Sequence, residues 1–289
     1  MLGQALVREL APREVAGLGH KEVRSLPRVY RSCDVTSREA TRAAVQAFKP
    51  DVIVHTAAYT DVDGCETECS LCRAVNVDGT KHVADAAWES GAWLVFLSTD
   101  YVFDGKADVP YAEDHEVAPL NEYGRAKAEA EKYLLEGGRK AVIVRTSWLY
   151  GRGGPNFVDT VLALAESESA LRIVRDQRGR PTYVVDLARA LCGIVDRLRE
   201  AEAGREGSIP RVLHVANAGE ATWYDFAREI IDAAGRHGVE VTPISSAELA
   251  RKAMRPAYSV LDTTRFDQWL GRPLRPWKEA LHAYLAERA

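Results

Sequence analysis

The run AWLVFLSTD (residues 92–100) decides the fold. Six apolar residues, Ala92 to Leu97, follow one another without the polar alternation of a strand that faces water on one side. A strand of this kind is buried on both faces, which is the signature of a parallel sheet covered by helices above and below. The same kind of run recurs as EVAGLG (14–19), DVIVHTAAY (51–59) and KAVIVRTSWLYG (140–151). Between them lie helical patterns: SREATRAAVQAFK (37–49), the stretch from Cys65 to Ala87, and NEYGRAKAEAEKYLLE (121–136). Strand and helix in strict alternation predict an α/β protein with a doubly wound parallel sheet of Rossmann type. After Trp148 the rhythm loosens through Gly151, Gly153, Gly154 and Pro155. Residues 1–150 therefore read as a dinucleotide-binding domain. Residues 151–289 read mainly as a smaller substrate-binding region, with some segments returning to the first domain. Within the latter, AEAGREGSIP (201–210) reads as a surface connection.

In an open α/β sheet the chemistry lies beyond the carboxyl ends of the strands, and this run ends in Ser98-Thr99-Asp100. Downstream, Tyr123 and Lys127 are four residues apart in a predicted helix and share a face. A phenol ionises near pH 10 when unperturbed, and a cation beside it favours the phenolate and draws that value toward working pH. A phenol and an ammonium so placed suit general acid/base work on a carbonyl, and Thr99 adds a hydroxyl for the substrate oxygen.

Composition excludes several alternatives. A formal net charge of −4 without long single-sign runs gives no surface for a nucleic-acid polymer. No apolar stretch approaches the roughly 20 residues of a membrane span, and MLGQALVREL has neither the basic nor the apolar region of a secretion signal, so a cytoplasmic location is expected. Five cysteines, an odd number, do not form a disulfide framework. Cys65, Cys69 and Cys72 have the C-x3-C-x2-C spacing of enzymes that hold a 4Fe-4S cluster on a loop. Here they fall at i, i+4 and i+7 of a helical pattern, one stripe of half-buried thiols, and no metal site is expected.

A doubly wound fold opens with a strand, a glycine-rich turn and a helix that receives a pyrophosphate. MLGQAL (1–6) reads as the last glycine of that turn and the helix after it. The first strand and the earlier glycines have no counterpart, and without a central strand two neighbours would be left with unpaired backbone. The expectation is a natural start about ten residues upstream, with Met1 internal; a short form with impaired cofactor binding is the alternative. At the end of the next strand, Gly19-His20-Lys21 has no acid for a ribose 2′-hydroxyl, whereas His20, Lys21 and Arg24 offer positive charge to a 2′-phosphate. NADP is expected, with NAD as the alternative.

The segments MLGQAL, CDVTS (33–37), PDVIVHTAAYTDVDGCE (50–66), AVNVDGT (74–80), FLSTDYVFDG (96–105), PLNEYGRAKAEAE (119–131), VIVRTSWLYG (142–151), NFV (156–158), DQRGRPTYVVDLA (176–188) and RPAYSVLD (255–262) cover nearly the whole chain. On these the chain resembles the extended short-chain dehydrogenase/reductases, and among them the dTDP-4-dehydrorhamnose reductase family. The order STDYVFDG, YGRAK, RTSWLYG carries the narrower likeness; Y-x-x-x-K alone marks the superfamily. The resemblance implies reduction of the C4 ketone of a dTDP-4-keto-6-deoxyhexose by NADPH or NADH. It implies Thr99, Tyr123 and Lys127 as the catalytic set, with Asp100 and Trp148 at the sugar. Gly3, Gln4, Asp34, Val35, Ala57, Ala58 and Thr60, with Tyr123 and Lys127, would lie along the cofactor. Asn156, Arg180 and Arg255 would build the nucleotide-sugar pocket. The family is described with a magnesium-assisted homodimer, but no magnesium ligand can be carried over.

Plainer readings stand beside these. Trp148 has a core aromatic as its alternative reading, Asp34 a cap for residues 37–49, and DVDGCETE (61–68) reads as a solvated turn that lacks the later ligands of a calcium loop. The competing functions are another nucleotide-sugar epimerase or dehydratase of the same fold, and a non-catalytic subunit like the regulatory partner of methionine adenosyltransferase.

Overall fold

The computed structural model describes residues 1–11, 13–20, 30–137, 140–205 and 207–288. In chain order the first half comprises α1 (Leu2–Glu9), β1 (Gly17–Gly19), β2 (Tyr30–Ser32), α2 (Arg38–Phe48), β3 (Val52–His55), α3 (Val62–Thr67), α4 (Cys69–Arg73), α5 (Gly79–Ser90), β4 (Trp93–Thr99), α6 (Glu122–Glu136) and β5 (Ala141–Thr146). The second half comprises β6 (Leu149–Tyr150), α7 (Phe157–Ser167), β7 (Ala170–Val174), β8 (Arg178–Gly179), β9 (Thr182–Tyr183), α8 (Val184–Glu202), β10 (Val212–His214), β11 (Ala221–Thr222), α9 (Trp223–Ala233), β12 (Glu240–Ile244), α10 (Ser246–Leu249), α11 (Thr264–Leu270) and α12 (Trp277–Arg288). Among the described residues no helix is long and apolar enough to cross a membrane.

The main sheet is parallel, in the order β10-β5-β4-β3. Successive side chains of β4 point to opposite faces, and both faces are apolar. Leu94 and Phe96 enter a core with Val83, Ala84 and Ala87 of α5 and Ala130 and Leu134 of α6. Val95 and Leu97 enter a larger core with Leu2 and Leu6 of α1 and Leu187, Leu191, Ile194 and Leu198 of α8. This is the doubly wound α/β fold that the strand pattern predicts. The fourth strand of the sheet, β10, comes from the second half of the chain and pairs with β5.

The sheet is interrupted between β3 and the separate parallel pair β1–β2. A cavity of about 580 Å³ occupies that interval, lined by Leu6 and Val7 of α1, Val45 of α2 and Val52 to His55 of β3.

Two expectations on local structure are corrected. The stretch from Cys65 is not one helix: it breaks at Glu68 (φ −115°, ψ 46°), restarts as α4 and passes through a π-helical turn at Ala74–Asp78 before α5. Cys65 and Cys72 are buried and Cys69 is exposed, so the three thiols do not converge, and no cluster of three or more metal-ligating side chains occurs among the described residues. Residues 61–68 are likewise no solvated turn. Asp61 caps α3 by accepting from the Gly64 amide at 2.9 Å, and Asp63 is the anchor of a distant arginine.

Below the site, Arg145 of β5 and Glu131 of α6 form a two-pronged ion pair with both side chains 3% exposed, Nε to Oε1 at 3.0 Å and Nη2 to Oε2 at 2.7 Å. Arg145 Nη1 also donates to the Glu113 carbonyl at 3.2 Å. Removing one member leaves the other charge buried alone. Arg145→Met is expected to cost about 3–5 kcal/mol of unfolding free energy in a urea titration, while Arg145→Met with Glu131→Leu recovers most of that loss.

Candidate active site

The site forms where β4 ends. Thr99 Oγ1 accepts from the Tyr101 amide at 3.2 Å, which starts a 3-10 turn over Asp100–Val102, and donates to Asp100 Oδ1 at 3.1 Å. The first turn of α6 docks on this turn. Asn121 caps it, accepting from the Gly124 amide at 2.8 Å. A Cβ on Gly124 would stand 2.2 Å from the Tyr101 carbonyl oxygen, so only glycine lets the helix come this close. The approach brings Tyr123 beside Thr99 and sets its ring edge-on to Tyr101, with centroids 6.1 Å apart.

Lys127, one turn further along, is buried, and its Nζ lies 3.9 Å from the centroid of the Phe96 ring. Among the described residues no carboxylate lies within ion-pair distance of it. Burial lowers its ammonium to about 7, against the opposing pull of Glu131. Burial and the Lys127 charge also hold His55 neutral, at about 3. The expectation that Lys127 draws the Tyr123 phenol down is corrected: burial, and then the Asp100 charge, push that phenol up. The Lys127 charge is directed at Phe96 and the Glu131 turn. Asp100 is buried and its Oδ2 is without a partner, and burial raises the carboxyl to about 7.

Beside this group, Thr146 of β5 is the register partner of Thr99, and Trp148 follows two residues later. Trp148 is half-buried, stacks on Trp223 and packs with it against the edge of the larger core. Arg180 sends Nη1 to Thr263 Oγ1 at 3.2 Å and keeps a buried Nε without a partner.

Two arginine-pocket positions are engaged otherwise. Arg255 grips Asp63 with both terminal nitrogens, at 2.8 and 2.9 Å, and that grip holds the Asp63 carboxyl far below the usual carboxylate range. Asn156 caps α7, accepting from the Asp159 amide at 3.0 Å and donating to the Gly151 carbonyl at 3.0 Å.

Of the expected cofactor positions, Gly3, Gln4, Val35 and Ala57 line the cavity beside β3. Ala58 and Thr60 continue the loop after Ala57, and that loop is pinned by Asn76. Asn76 Oδ1 accepts from the Tyr59 amide at 2.9 Å and Nδ2 donates to the Tyr59 carbonyl at 3.0 Å. The π-helical turn at residues 74–78 carries this buried side chain, an irregularity that commonly marks a functional site. Asp34 does not cap α2. Ser37 does, and Asp34 Oδ1 accepts from the Thr36 amide at 2.9 Å and from its hydroxyl at 2.8 Å. His20 Nδ1 lies 3.8 Å from Asp34 Oδ2. Lys21 and Arg24 lie outside the described residues.

The donor set suits a nicotinamide dinucleotide. Lys127 is a buried amine without an ion-paired carboxylate among the described residues, and the cavity beside β3 reaches from the start of α1 to Ala57, where the loop pinned by Asn76 begins. Tyr101, Asn76, Asp63 and Trp223 were not foreseen as site residues. Tyr101, Asn76 and Asp63 lie inside the motifs STDYVFDG, AVNVDGT and PDVIVHTAAYTDVDGCE; Trp223 had no local signal, because its partners are far away in sequence.

The whole chain, residues 1–289, matches the family described as RmlD substrate binding domain. It belongs to that family. A probable dTDP-4,6-dihydroxy-2-methyloxan-3-one 4-ketoreductase of Streptomyces antibioticus is 40% identical over 287 residues, covering 97% of this chain and 90% of that protein. The dTDP-4-dehydrorhamnose reductase of Streptomyces griseus is 42% identical over 250 residues, covering 86% and 80%. The structure of dTDP-4-dehydrorhamnose reductase from Bacillus anthracis in complex with NADP superposes with a TM-score of 0.83 at 33% identity, covering 95% of this chain and 99% of that one. Family membership places the chain among the extended short-chain reductases and accounts for the Tyr-Lys helix at the end of a central strand.

The Asp100 carboxyl gives a pH dependence with a fixed sign. It ionises near 3.9 in an unfolded chain and near 7 when folded, so between those values folding favours the protonated form. Its contribution is complete below pH 4 and declines as pH rises through 7, by at most about 1.4 kcal/mol per unit. Unfolding midpoints of the protein and of Asp100→Asn, compared from pH 5 to 8, should diverge, the unaltered protein losing stability relative to the variant as pH rises.

Proposed function

We propose that this protein reduces the C4 ketone of a dTDP-4-keto-6-deoxyhexose, converting dTDP-4-dehydrorhamnose to dTDP-rhamnose or a closely related sugar to its alcohol. One observation carries the reading: the hydroxyls of Tyr123 and Thr99 meet at the end of β4, above a buried Lys127 and beside Trp148. Thr99 Oγ1 donates to Asp100 Oδ1 and stands beside the Tyr123 hydroxyl. A substrate ketone oxygen that reaches both hydroxyls receives the Tyr123 phenolic proton. The raised phenol pKa keeps Tyr123 protonated at neutral pH, the form a donor needs.

Lys127, Tyr123, the Ala57–Thr60 loop, the start of α1 at Gly3 and Gln4, and the Asp34–Val35 turn would hold the cofactor. When bound, the reduced nicotinamide supplies the hydride that C4 accepts. Lys127, one helical turn beyond Tyr123 and without an ion-paired carboxylate among the described residues, would offer its buried amine to the cofactor. NADPH is the proposed cofactor, in keeping with the NADP complex of the Bacillus anthracis relative. The sugar is bracketed by the two kinds of relative, both named as acting on a dTDP-linked ketone. Arg180 is the free guanidinium proposed to reach the nucleotide diphosphate.

The test is consumption of NADPH and NADH with dTDP-4-keto-6-deoxyglucose and related 4-keto sugars. Tyr123→Phe should lower turnover by about 100-fold or more, since it removes the general acid, and leave the unfolding midpoint near that of the unaltered protein. Failure of the unaltered protein to oxidise either nicotinamide would overturn the proposal. Turnover unchanged in Tyr123→Phe would remove the phenol from the mechanism.

A further inference from the structure

Trp148 and Trp223 stack face to face with ring centroids 3.6 Å apart and planes 6° from parallel. They come from parts of the chain 75 residues apart, Trp148 from the β5–β6 connection and Trp223 from the first position of α9. Trp148 has φ +47°, in the left-handed region that bulky side chains seldom adopt. Such a conformation persists only where the surroundings impose it. Here the Thr182 amide donates to the Trp148 carbonyl at 3.1 Å. Gly179 lies so close that a Cβ on it would stand 2.6 Å from indole Cε2. Trp223 covers one indole face.

Trp223 is itself fixed. Its Nε1 donates to Gln177 Oε1 at 3.2 Å, and Gln177 Nε2 donates to Ser246 Oγ at 2.8 Å. Phe157 packs against it with centroids 4.6 Å apart. The chain of contacts from Ser246 to Gln177 to Trp223 ends on the one aromatic that stands two residues past the register partner of Thr99.

Resting on the reductase reading above, we propose that Trp223 is a positioning residue for the sugar. By fixing the Trp148 indole it sets which side of the hexose ring faces the hydride donor, and so the configuration made at C4. An indole is a broad apolar plate with a single N–H, suited to the C–H face and methyl group of a 6-deoxyhexose. Only a plate held at one angle discriminates between two faces of a ketone. Without Trp223, the Trp148 ring loses its backing, and the sugar can settle in more than one orientation.

The experiment measures KM for the dTDP-4-keto sugar, KM for NADPH and the ratio of C4 epimers in the product. Trp223→Leu should raise the sugar KM about tenfold or more, leave the NADPH KM unchanged and give a mixture of epimers. Trp223→Phe, which keeps a ring on the stack, should restore most of the single-epimer outcome. Trp148→Leu should produce the same defect, and the double variant should be no worse than either single one, because residues acting as one unit are non-additive. If Trp223→Leu does not fold, Trp223→Phe and Trp223→His are read for the same KM split in graded form. A folded Trp223→Leu protein with an unchanged sugar KM and one product epimer would overturn the proposal. A lack of turnover in the unaltered protein would instead refute the reductase reading. The stack would then be judged by the far-UV exciton couplet of a paired indole, which Trp148→Phe and Trp223→Phe should each abolish.

Discussion

The bare Cα of Gly124 is the constraint from which the site follows. With no side chain there, the first turn of α6 rests directly on the Tyr101 carbonyl, and Pro119 closes in from the other side. Asn121 secures the arrangement twice, capping the helix through its carbonyl and donating to the Met254 carbonyl at 2.8 Å through its amide. Tyr123 thereby meets Thr99, and every fourth residue after it falls into line: Lys127 over Phe96, then Glu131 against Arg145. Displacing α6 by the width of one methyl group would separate the phenol from the Thr99 hydroxyl, and general acid catalysis tolerates little such misplacement.

Burial sets the electrostatics of this column more than pairing does. Burial raises the Asp100 carboxyl to about 7 and lowers the Lys127 ammonium to about 7, so each group has lost much of its ordinary preference for the charged form. The fully charged pairs lie around the site and not in it: Arg145 with Glu131 beneath, Asp63 with Arg255 at the side. Such pairs have satisfied hydrogen bonds and fixed geometry, and they supply a rigid frame.

The parts of this arrangement that were legible in the sequence are those whose cause is local. The strands were readable because an unbroken apolar run such as residues 92–97 has one stable location, the middle of a covered sheet. Tyr123 and Lys127 were readable because i, i+4 spacing fixes a shared face. What was not legible depends on partners far along the chain. The break at Glu68 and the π-helical turn after it serve Asn76, whose task is to hold the backbone of Tyr59. Asp63 looked like part of a solvated acidic turn because Arg255, its partner, is 192 residues away. The direction of the Tyr123 shift was misjudged for a related reason. Spacing gives the distance to Lys127, but the burial of the phenol comes from Cys65, Cys72 and Val77, which pack against it from the preceding helices, and the nearness of Asp100 comes from the end of β4. Residues 251–261 form a strap across the molecule.

That strap joins the two halves of the molecule at the site itself. Arg251 and Arg255 bind Asp63, Met254 receives the amide of the α6 cap, Tyr258 and Ser259 pack along β8, and Leu261 bridges to Tyr111. Residues 251–261 therefore touch the N-terminus of the helix that carries Tyr123 and also β8, whose Gly179 lies against Trp148. A rigid connection of this kind means that the aromatic plate and the phenol are positioned by one common segment, although they come from different halves of the chain. Arg255, bound through both terminal nitrogens, contributes by holding that segment in place, whereas Arg180 donates to Thr263 through Nη1 alone and keeps its Nε unpartnered. The sequence motif RPAYSVLD thus belongs to the site mainly through the geometry it imposes on its neighbours.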